Sequence, residues 1–391
     1  MLDNAEGTSM RIAKISLITC ALAATANSQL VLSGNEAKID LTGGTAVVLP
    51  DAPPDSLSIL NFSTFPPKVT HLDNVRNSVI GPPSNIAITP DESLALIASS
   101  TLPDPKNPGE WIPDNVIHVL DLTVDPPAVI DQIETDAQPS GMSIARDGSY
   151  ALVANRAAGT ISLLSIDGKR VAVKQTIKLC APEDQVSDVS ISPDGTTAVA
   201  SVNVGGYLAM LTIENGSLAL TDRKFSVCGN PYRCVISPDG AFALTAGSGQ
   251  GYPDEDTLTV VDLKSDPPRT ADYVPIGSGP ESIEISPDGK LVAAVLMEGS
   301  NLAKDDPRYE RHGKLTVLAR RGKTFEVVQT LRTGPIPEGV AFSPDGKYLI
   351  VQCHPIRELW LYRVEGEKVT DTGERVSVPA MPSSLRAAEK P

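Results

Sequence analysis

Six near-copies of one five-residue turn recur along the 391-residue chain. The clearest copy is Ile-Ser-Pro-Asp-Gly ending at Gly289, and the apolar run Leu291–Leu296 follows it. Proline presets φ, aspartate can accept a bond from the backbone ahead, and glycine supplies a positive φ, so the phrase predicts a tight hairpin between two strands. Its aspartates recur at intervals of 45 to 57 residues, at Asp91, Asp147, Asp194, Asp239, Asp288 and Asp345.

A repeat of roughly 40–50 residues built from short strands is typical of a β-propeller. Such a closed array is a single domain even in a chain of this length. Hydrophobic residues make up 41% of the chain but aromatic residues only 4%, so the core is predicted to consist of valine, isoleucine, leucine and alanine. The net charge of −15 argues against a nucleic acid or an anionic membrane surface as a partner.

A seventh repeat is divided between the two ends of the chain. The outer-hairpin phrase that ends in Pro-Pro occurs three times, and no Ser-Pro-Asp-Gly turn precedes the copy at 60–67. The second strand of this repeat is predicted at Leu30–Ser33. Its inner strand is predicted at Pro382–Leu385, because the Pro-x-x-apolar phrase that opens most other inner strands occurs there again.

Pairing of residues 380–390 beside residues 29–34 should therefore close the ring, because an open array would leave strand edges exposed. The predicted fold is all-β, a seven-bladed β-propeller of four-stranded antiparallel blades.

These features resemble the bacterial Ser-Pro-Asp-Gly-repeat propellers, the YVTN-type family, which is related to the lactonase-like seven-bladed propellers. The resemblance covers roughly residues 29–390, and it implies a small-molecule enzyme of lactonase-like or cycloisomerase-like type that acts without a redox cofactor. Lactonase-type propellers commonly carry an Arg-His pair where an inner strand begins. Here the nearest phrase is Pro231-Tyr232-Arg233-Cys234, which has no histidine.

The first residues of the chain have the layout of a secretory signal. Arg11 and Lys14 precede the apolar run Ile15–Ala24, and Ala24-Thr25-Ala26 fits a small-x-small cleavage site. The expected division is an extension plus signal peptide at 1–28 and a single propeller domain at 29–391, in a periplasmic or secreted protein. The alternative is that this apolar run forms an N-terminal strand.

Cleavage of the signal would leave four cysteines, Cys180, Cys228, Cys234 and Cys353. In an oxidising compartment either a Cys180–Cys228 or a Cys228–Cys234 disulfide is compatible with the sequence. Cys353 beside His354 looks like a nucleophile pair. Neighbouring residues of a strand point to opposite faces, however, so core packing is the favoured interpretation of Cys353.

Two sets of equivalent positions in the repeats should meet at one end of the central channel. One set lies where each inner strand begins, and the other lies just after each second strand ends. Arginine can bind a carboxylate and glutamate or histidine can move a proton, so this end is a candidate site for acid–base chemistry on an anionic or carbonyl substrate. The alternative is an ordinary wet and polar loop surface. The predicted proton-moving residues are Glu281, Glu338 and His354, and the predicted ligand-binding residues are Arg156, Asn203, Tyr232, Arg233 and Glu298.

Four repeats carry long linkers between their second and third strands, and long loops usually carry function or disorder. Trp111, Tyr252 and Tyr309 lie in these loops and are predicted to wall a pocket. The acidic residues 254–256 and 305–306 could bind a divalent cation such as calcium, but their spacing matches no known metal-binding loop and solvated turns are the favoured interpretation. No metal site and no cofactor is predicted.

The sequence favours a monomeric small-molecule-processing propeller with no membrane span. The alternative is a non-catalytic periplasmic propeller that binds a ligand or another protein.

The signal-peptide hypothesis predicts the mature N-terminus. Expression in a Gram-negative host should yield a protein that begins near Asn27 to Gln29, because the small-x-small site ends at Ala26. Intact-mass measurement of the purified protein checks this. A chain that still carries Met1 in the periplasmic fraction would contradict it.

Overall fold

A computed structural model describes residues 29–49, 51–77 and 80–390. The predicted signal peptide lies outside the described residues. Seven four-stranded antiparallel sheets, the blades, follow one another around a channel, and each inner strand contacts the inner strands of the two adjacent blades. The predicted seven-bladed propeller is therefore confirmed.

Blade one combines β1 (Leu30–Glu36), β4 (Ser56–Asn61) and β5 (Lys68–Asp73) with the last strand, β30 (Met381–Ala387), and a small hairpin of β2 (Ile39–Asp40) and β3 (Val47–Val48) is inserted after β1. Blade two contains β6 (Ile86–Ile88), β7 (Leu94–Pro103), β8 (Trp111–Asp121) and β9 (Ala128–Glu134). Blade three contains β10 (Pro139–Ile144), β11 (Tyr150–Asn155), β12 (Thr160–Asp167) and β13 (Arg170–Lys178).

Blade four contains β14 (Val186–Ile191), β15 (Thr197–Val202), β16 (Tyr207–Glu214) and β17 (Ser217–Ser226). Blade five contains β18 (Asn230–Ile236), β19 (Phe242–Ser248), β20 (Asp256–Asp262) and β21 (Arg269–Gly277). Blade six contains β22 (Pro280–Ile285), β23 (Leu291–Leu296), β24 (Lys314–Arg321) and β25 (Thr324–Arg332). Blade seven contains β26 (Pro337–Phe342), β27 (Tyr348–Cys353), β28 (Glu358–Glu365) and β29 (Lys368–Ser377), and short 3-10 helices lie at Pro182–Asp184 and His354–Ile356.

The ring closes within blade one, as predicted, because β30 pairs antiparallel with β1 and Ser33 lies opposite Leu385. Blade seven reaches this seam through Gln352, whose Nε2 donates to Ser33 Oγ at 2.9 Å. Blade two reaches it through the carbonyl of Pro83, which accepts a hydrogen bond from the Leu385 amide at 3.1 Å. The seam is thus bonded to both neighbouring blades, and β1 lies between β30 and β4 instead of forming an open edge.

The repeated turn has the expected chemistry. In the copy that ends at Gly195, the Ser192 hydroxyl donates to the Asp194 carboxylate at 2.6 Å, that carboxylate accepts from the Thr196 amide at 3.1 Å, and the glycine has φ of 70°. Glu92 replaces the glycine in the first copy and keeps a positive φ of 57°. Its carboxylate accepts from the Leu30 amide and pairs with Lys390, both at 3.0 Å, so this altered copy also stabilises the seam.

Apolar side chains pack mainly between adjacent blades and are largely valine, isoleucine, leucine and alanine. The four cysteines of the described chain are free thiols, so neither proposed disulfide is present there. Cys353 packs in the core between blades six and seven, and burial raises the pKa of its thiol to about 12. No helix in the described ranges is both long and apolar enough to span a membrane.

Leu385 is buried at the seam with Val31, Leu60 and Ile350. Leu385→Ala should lower the free energy of unfolding by about 2–5 kcal/mol, because it removes apolar contacts from the strand that closes the ring. Leu220→Ala on the outer strand β17 is the control, because Leu220 is 42% exposed and its replacement should change stability by less than about 0.5 kcal/mol. Denaturant titration compares the two variants. Equal stability would contradict the role assigned to the seam.

Candidate functional site

Most inner strands begin with a break in pairing register. The register shifts lie between Pro139 and Met142, Val186 and Asp188, Pro231 and Cys234, Pro280 and Ser282, and Pro337 and Val340. Such bulges bend a strand and re-aim its side chains. The residues that follow the opening proline, or Val186 in blade four, are therefore presented at one end of the channel, on consecutive blades.

At this end, Tyr232, Glu281 and Glu338 from blades five, six and seven line one cavity of about 200 Å³. We call it the channel pocket. Met297 and Asn301 of blade six also line it. The remaining wall comes from the inserted hairpin of blade one and from the entry to blade two, and consists of Leu41, Gly44, Thr45, Ala46, Ile80 and Gly81.

The inserted hairpin, β2 and β3 with the turn between them, is called the blade-one hairpin. Lys38 at its base pairs with the buried carboxylate of Asp55, which also accepts from the Asn77 amide at 3.1 Å. Gly43 and Gly44 in its turn have φ of 91° and 87°, a region that residues with a Cβ rarely occupy. The hairpin is therefore anchored at its base, and its turn depends on the two glycines.

Glu338 and Glu281 are desolvated carboxyl groups at the pocket. The pKa of Glu338 lies well above its ordinary value because burial, and then the negative charges of Glu281 and Glu36, disfavour ionisation. Burial also raises the pKa of Glu281, but the positive charge of Arg156 opposes that shift. Glu338 Oε1 is buried and has no hydrogen-bond partner among the described residues. The two carboxyls thus differ, with Glu281 the easier to ionise.

Tyr232 and Arg156 lie beside this pair. Burial raises the pKa of the Tyr232 hydroxyl well above its ordinary value, so the phenol stays protonated. The Arg156 guanidinium lies 5.8 Å from the centre of the Tyr232 ring and donates to Ser187, to Gln185, and to Asn203 Oδ1 at 3.1 Å. Arg156 therefore supplies positive charge, but its two terminal nitrogens already donate to the protein.

Two residues predicted for the site lie outside the channel pocket. Arg233 is buried deeper in the channel, where its Nε donates to the Ile283 carbonyl at 2.6 Å and its Nη2 pairs with Glu284. His354 is fully buried, and its Nδ1 donates to the Pro382 carbonyl at 3.3 Å. Burial lowers the pKa of His354 to about 4, so its imidazole is neutral at pH 7.

The other predicted residues are dispersed. Asn203 supports Arg156 and also donates to the Pro231 carbonyl at 3.2 Å. Glu298 pairs with Lys314 and lines a different depression together with Tyr252. Trp111 is 38% exposed on β8, and Tyr309 lines a separate groove. The structure therefore unites Tyr232, Glu281 and Glu338 and separates them from the aromatic residues of the long loops.

Glu36 was not among the residues predicted for the site, and the segment that forms the blade-one hairpin was predicted only as a long linker. Glu36 is buried and acts electrostatically on Glu338. It directly follows Asn35, which in blade one holds the position at the end of the second strand, so extending that set of positions by one residue would have included Glu36. The length of the blade-one linker marked it in the sequence, but its position against blade six could not be predicted, because the two segments are far apart in the chain.

No group of three or more histidine, cysteine or acidic residues that could hold a metal ion occurs within 29–49, 51–77 and 80–390. Two of the acidic residues that were considered for calcium, Asp256 and Asp306, have protein partners. Asp256 accepts from the Gly249 and Gly279 amides at 2.6 and 2.8 Å, and Asp306 pairs with Arg308 at 2.8 Å.

The sequence matches no protein-family model and no curated protein. Similar solved structures exist. A candidate 6-phosphogluconolactonase from Bacteroides uniformis ATCC 8492 has a TM-score of 0.68 and 17% identity over 92% of this chain and 99% of its own. The periplasmic gluconolactonase PpgL of Pseudomonas aeruginosa has a TM-score of 0.63 and 18% identity over 93% and 100%.

Hydrazine synthase of Kuenenia stuttgartiensis is similar as well, with a TM-score of 0.59 and 20% identity over 79% of this chain and 90% of its own. At these identities the likeness establishes the fold, a propeller that has lactonases among its structural neighbours, and not a reaction.

The buried carboxyl of Glu338 predicts a specific pH dependence of stability. Above about pH 4.5 the unfolded glutamate is ionised while the folded one stays protonated, so unfolding releases a proton and stability falls as pH rises. Glu338→Gln should remove this loss of folding stability. The loss is about 1.4 kcal/mol for each pH unit between the pKa of the unfolded glutamate and the raised pKa of the folded one.

Chemical denaturation between pH 4 and pH 8 measures the effect. The variant should match the unmodified protein at pH 4 and exceed it at pH 8. Glu365→Gln, at an exposed position of β28, is the control. A variant that loses stability with pH as steeply as the unmodified protein would refute the assignment.

Proposed function

We propose that the channel pocket binds a small lactone and catalyses its hydrolysis by acid–base chemistry. The observation that carries the proposal is the meeting of Glu281 and Glu338 at one cavity, with environments that separate their pKa values. In known active sites, two carboxyl groups whose pKa values are pushed apart in this way act as the acid and the base. Two of the similar propellers described above are a lactonase and a candidate lactonase by name, which supports the same reaction class.

The roles follow from the surrounding charges. Glu281, which Arg156 helps to ionise, is the base that takes a proton from the attacking water. Glu338, which Glu281 and Glu36 help to keep neutral, is the acid that protonates the departing ring oxygen. Tyr232 is the hydroxyl donor for the developing oxyanion. One carbon–oxygen bond forms and one breaks, and a proton returned from Glu281 to Glu338 restores the starting state.

The charges also support one substrate class over another. Neither Arg156 nor Arg233 has a guanidinium group free to bind an anionic ligand through two hydrogen bonds. Arg156 donates to three neutral side chains, and Arg233 pairs with Glu284. A carboxylate or phosphate on the ligand would face the ionised base Glu281, and both terminal nitrogens of Arg156 already donate to other side chains. An uncharged, hydroxyl-bearing lactone avoids that repulsion, and the volume of about 200 Å³ limits it to a small molecule.

The test measures hydrolysis of glucono-δ-lactone and of its 6-phosphorylated analogue against the spontaneous rate. Glu338→Gln should lower kcat at least about 100-fold with little change in KM, because it removes the general acid. Glu298→Gln is the matched control, because Glu298 lies outside the channel pocket, and it should change kcat less than twofold.

The neutral lactone should be the better substrate, and kcat should show a bell-shaped pH profile. A ligand-induced rise in melting temperature without turnover would favour the alternative, a non-catalytic binding propeller. Equal activity of Glu338→Gln and Glu298→Gln would locate the reaction elsewhere.

A further inference from the structure

A second cavity lies on the other side of the blade-one hairpin. Its volume is about 660 Å³, and it lies between Thr42 and Gly43 of that hairpin, the long loop of blade six and the 3-10 helix of blade seven. We call it the outer groove. Its size falls in the range of small-molecule sites, and none of its lining residues is shared with the channel pocket.

The walls of the outer groove are mostly apolar and aromatic. Tyr309 comes from the blade-six loop, and Ile356 and Trp360 come from blade seven. Ile356 is 41% exposed, so an apolar surface is open there. The Trp360 ring is held in place, because its Nε1 donates to Glu358 at 2.9 Å and Arg375 stacks on it at 3.9 Å. A rigid aromatic wall of this kind favours a planar, apolar ligand group.

The charges of the outer groove are one-sided. Lys304, Arg311 and His312 line it, whereas no aspartate or glutamate does, although the protein carries a net charge of −15. Arg308 of the same loop is bound by Asp306 at 2.8 Å. In contrast, Lys304 and Arg311 have no carboxylate within ion-pair distance in the described part of the chain. Two uncompensated cations therefore stand at the edge of an apolar cavity.

From this combination we infer that the outer groove is a binding site for a small amphipathic anion, an aromatic or alicyclic group that carries a carboxylate. The apolar part packs against Trp360 and Ile356, and the anionic group pairs with Arg311 and Lys304. Arginine suits a carboxylate because its fork can donate two parallel hydrogen bonds. This site differs from the channel pocket in ligand charge, since acidic side chains repel an anion there.

Tryptophan fluorescence gives a direct test, because the chain has two tryptophans and only Trp360 lies in the outer groove. In a Trp111→Phe background, 3-iodobenzoate should quench Trp360 saturably through its heavy atom. The neutral 3-iodobenzamide should bind more weakly, and 3-iodobenzylammonium weakest.

Arg311→Ala should weaken binding of 3-iodobenzoate about tenfold, the effect of losing one charge-assisted bond, and leave 3-iodobenzamide binding unchanged. Arg308→Ala, in the same loop but already paired with Asp306, should stay within twofold. Glu338→Gln should also leave this affinity unchanged, which separates the groove from the channel pocket. Unsaturable quenching, equal affinity for the three probes, or equal effects of Arg311→Ala and Arg308→Ala would overturn the inference.

Discussion

The pairing of β1 with β30 is the interaction on which the remaining architecture depends. A propeller with one unpaired inner edge would expose backbone donors and acceptors and lose the fixed angle between blades. Closure brings blade seven against blade one, and this contact is what places Glu36 of β1 near Glu338 of β26. The seam is reinforced by Gln352 and by Glu92, which replaces the glycine of a repeated turn. The same closure therefore builds the fold and assembles the acidic side of the channel pocket.

Burial of carboxyl groups links the chemistry of the pocket to the stability of the protein. Glu281 and Glu338 disfavour the folded state once pH exceeds the range in which an unfolded glutamate is protonated. A chain selected for stability alone would place neutral residues there, as it does with Ser84, Ser140 and Ser383 at the equivalent positions of other blades. Two destabilising acids side by side are therefore the feature that motivates the proposal of a functional site at this pocket.

The sequence was sufficient for the fold because one turn repeats in register and the missing inner strand could be found at 382–385. It was also sufficient to bring Tyr232, Glu281 and Glu338 together, since equal positions in equal repeats meet at one end of the channel. The sequence did not predict that Arg233 lies outside the channel pocket. The bulge at the start of β18 directs consecutive side chains to different depths, and Arg233 pairs with Glu284 instead. The sequence also did not predict that His354 lies outside the channel pocket, because the short 3-10 helix that follows β27 buries this residue in the interior.

The blade-one hairpin forms a wall of both cavities, with Gly44 at the channel pocket and Gly43 at the outer groove. Any ligand that favours one position of this hairpin at the first cavity changes the free energy of binding at the second. By thermodynamic linkage the effect must be equal in both directions. If both cavities bind ligands as proposed, a shift of this shared hairpin is the route by which occupancy of one cavity would change the affinity of the other.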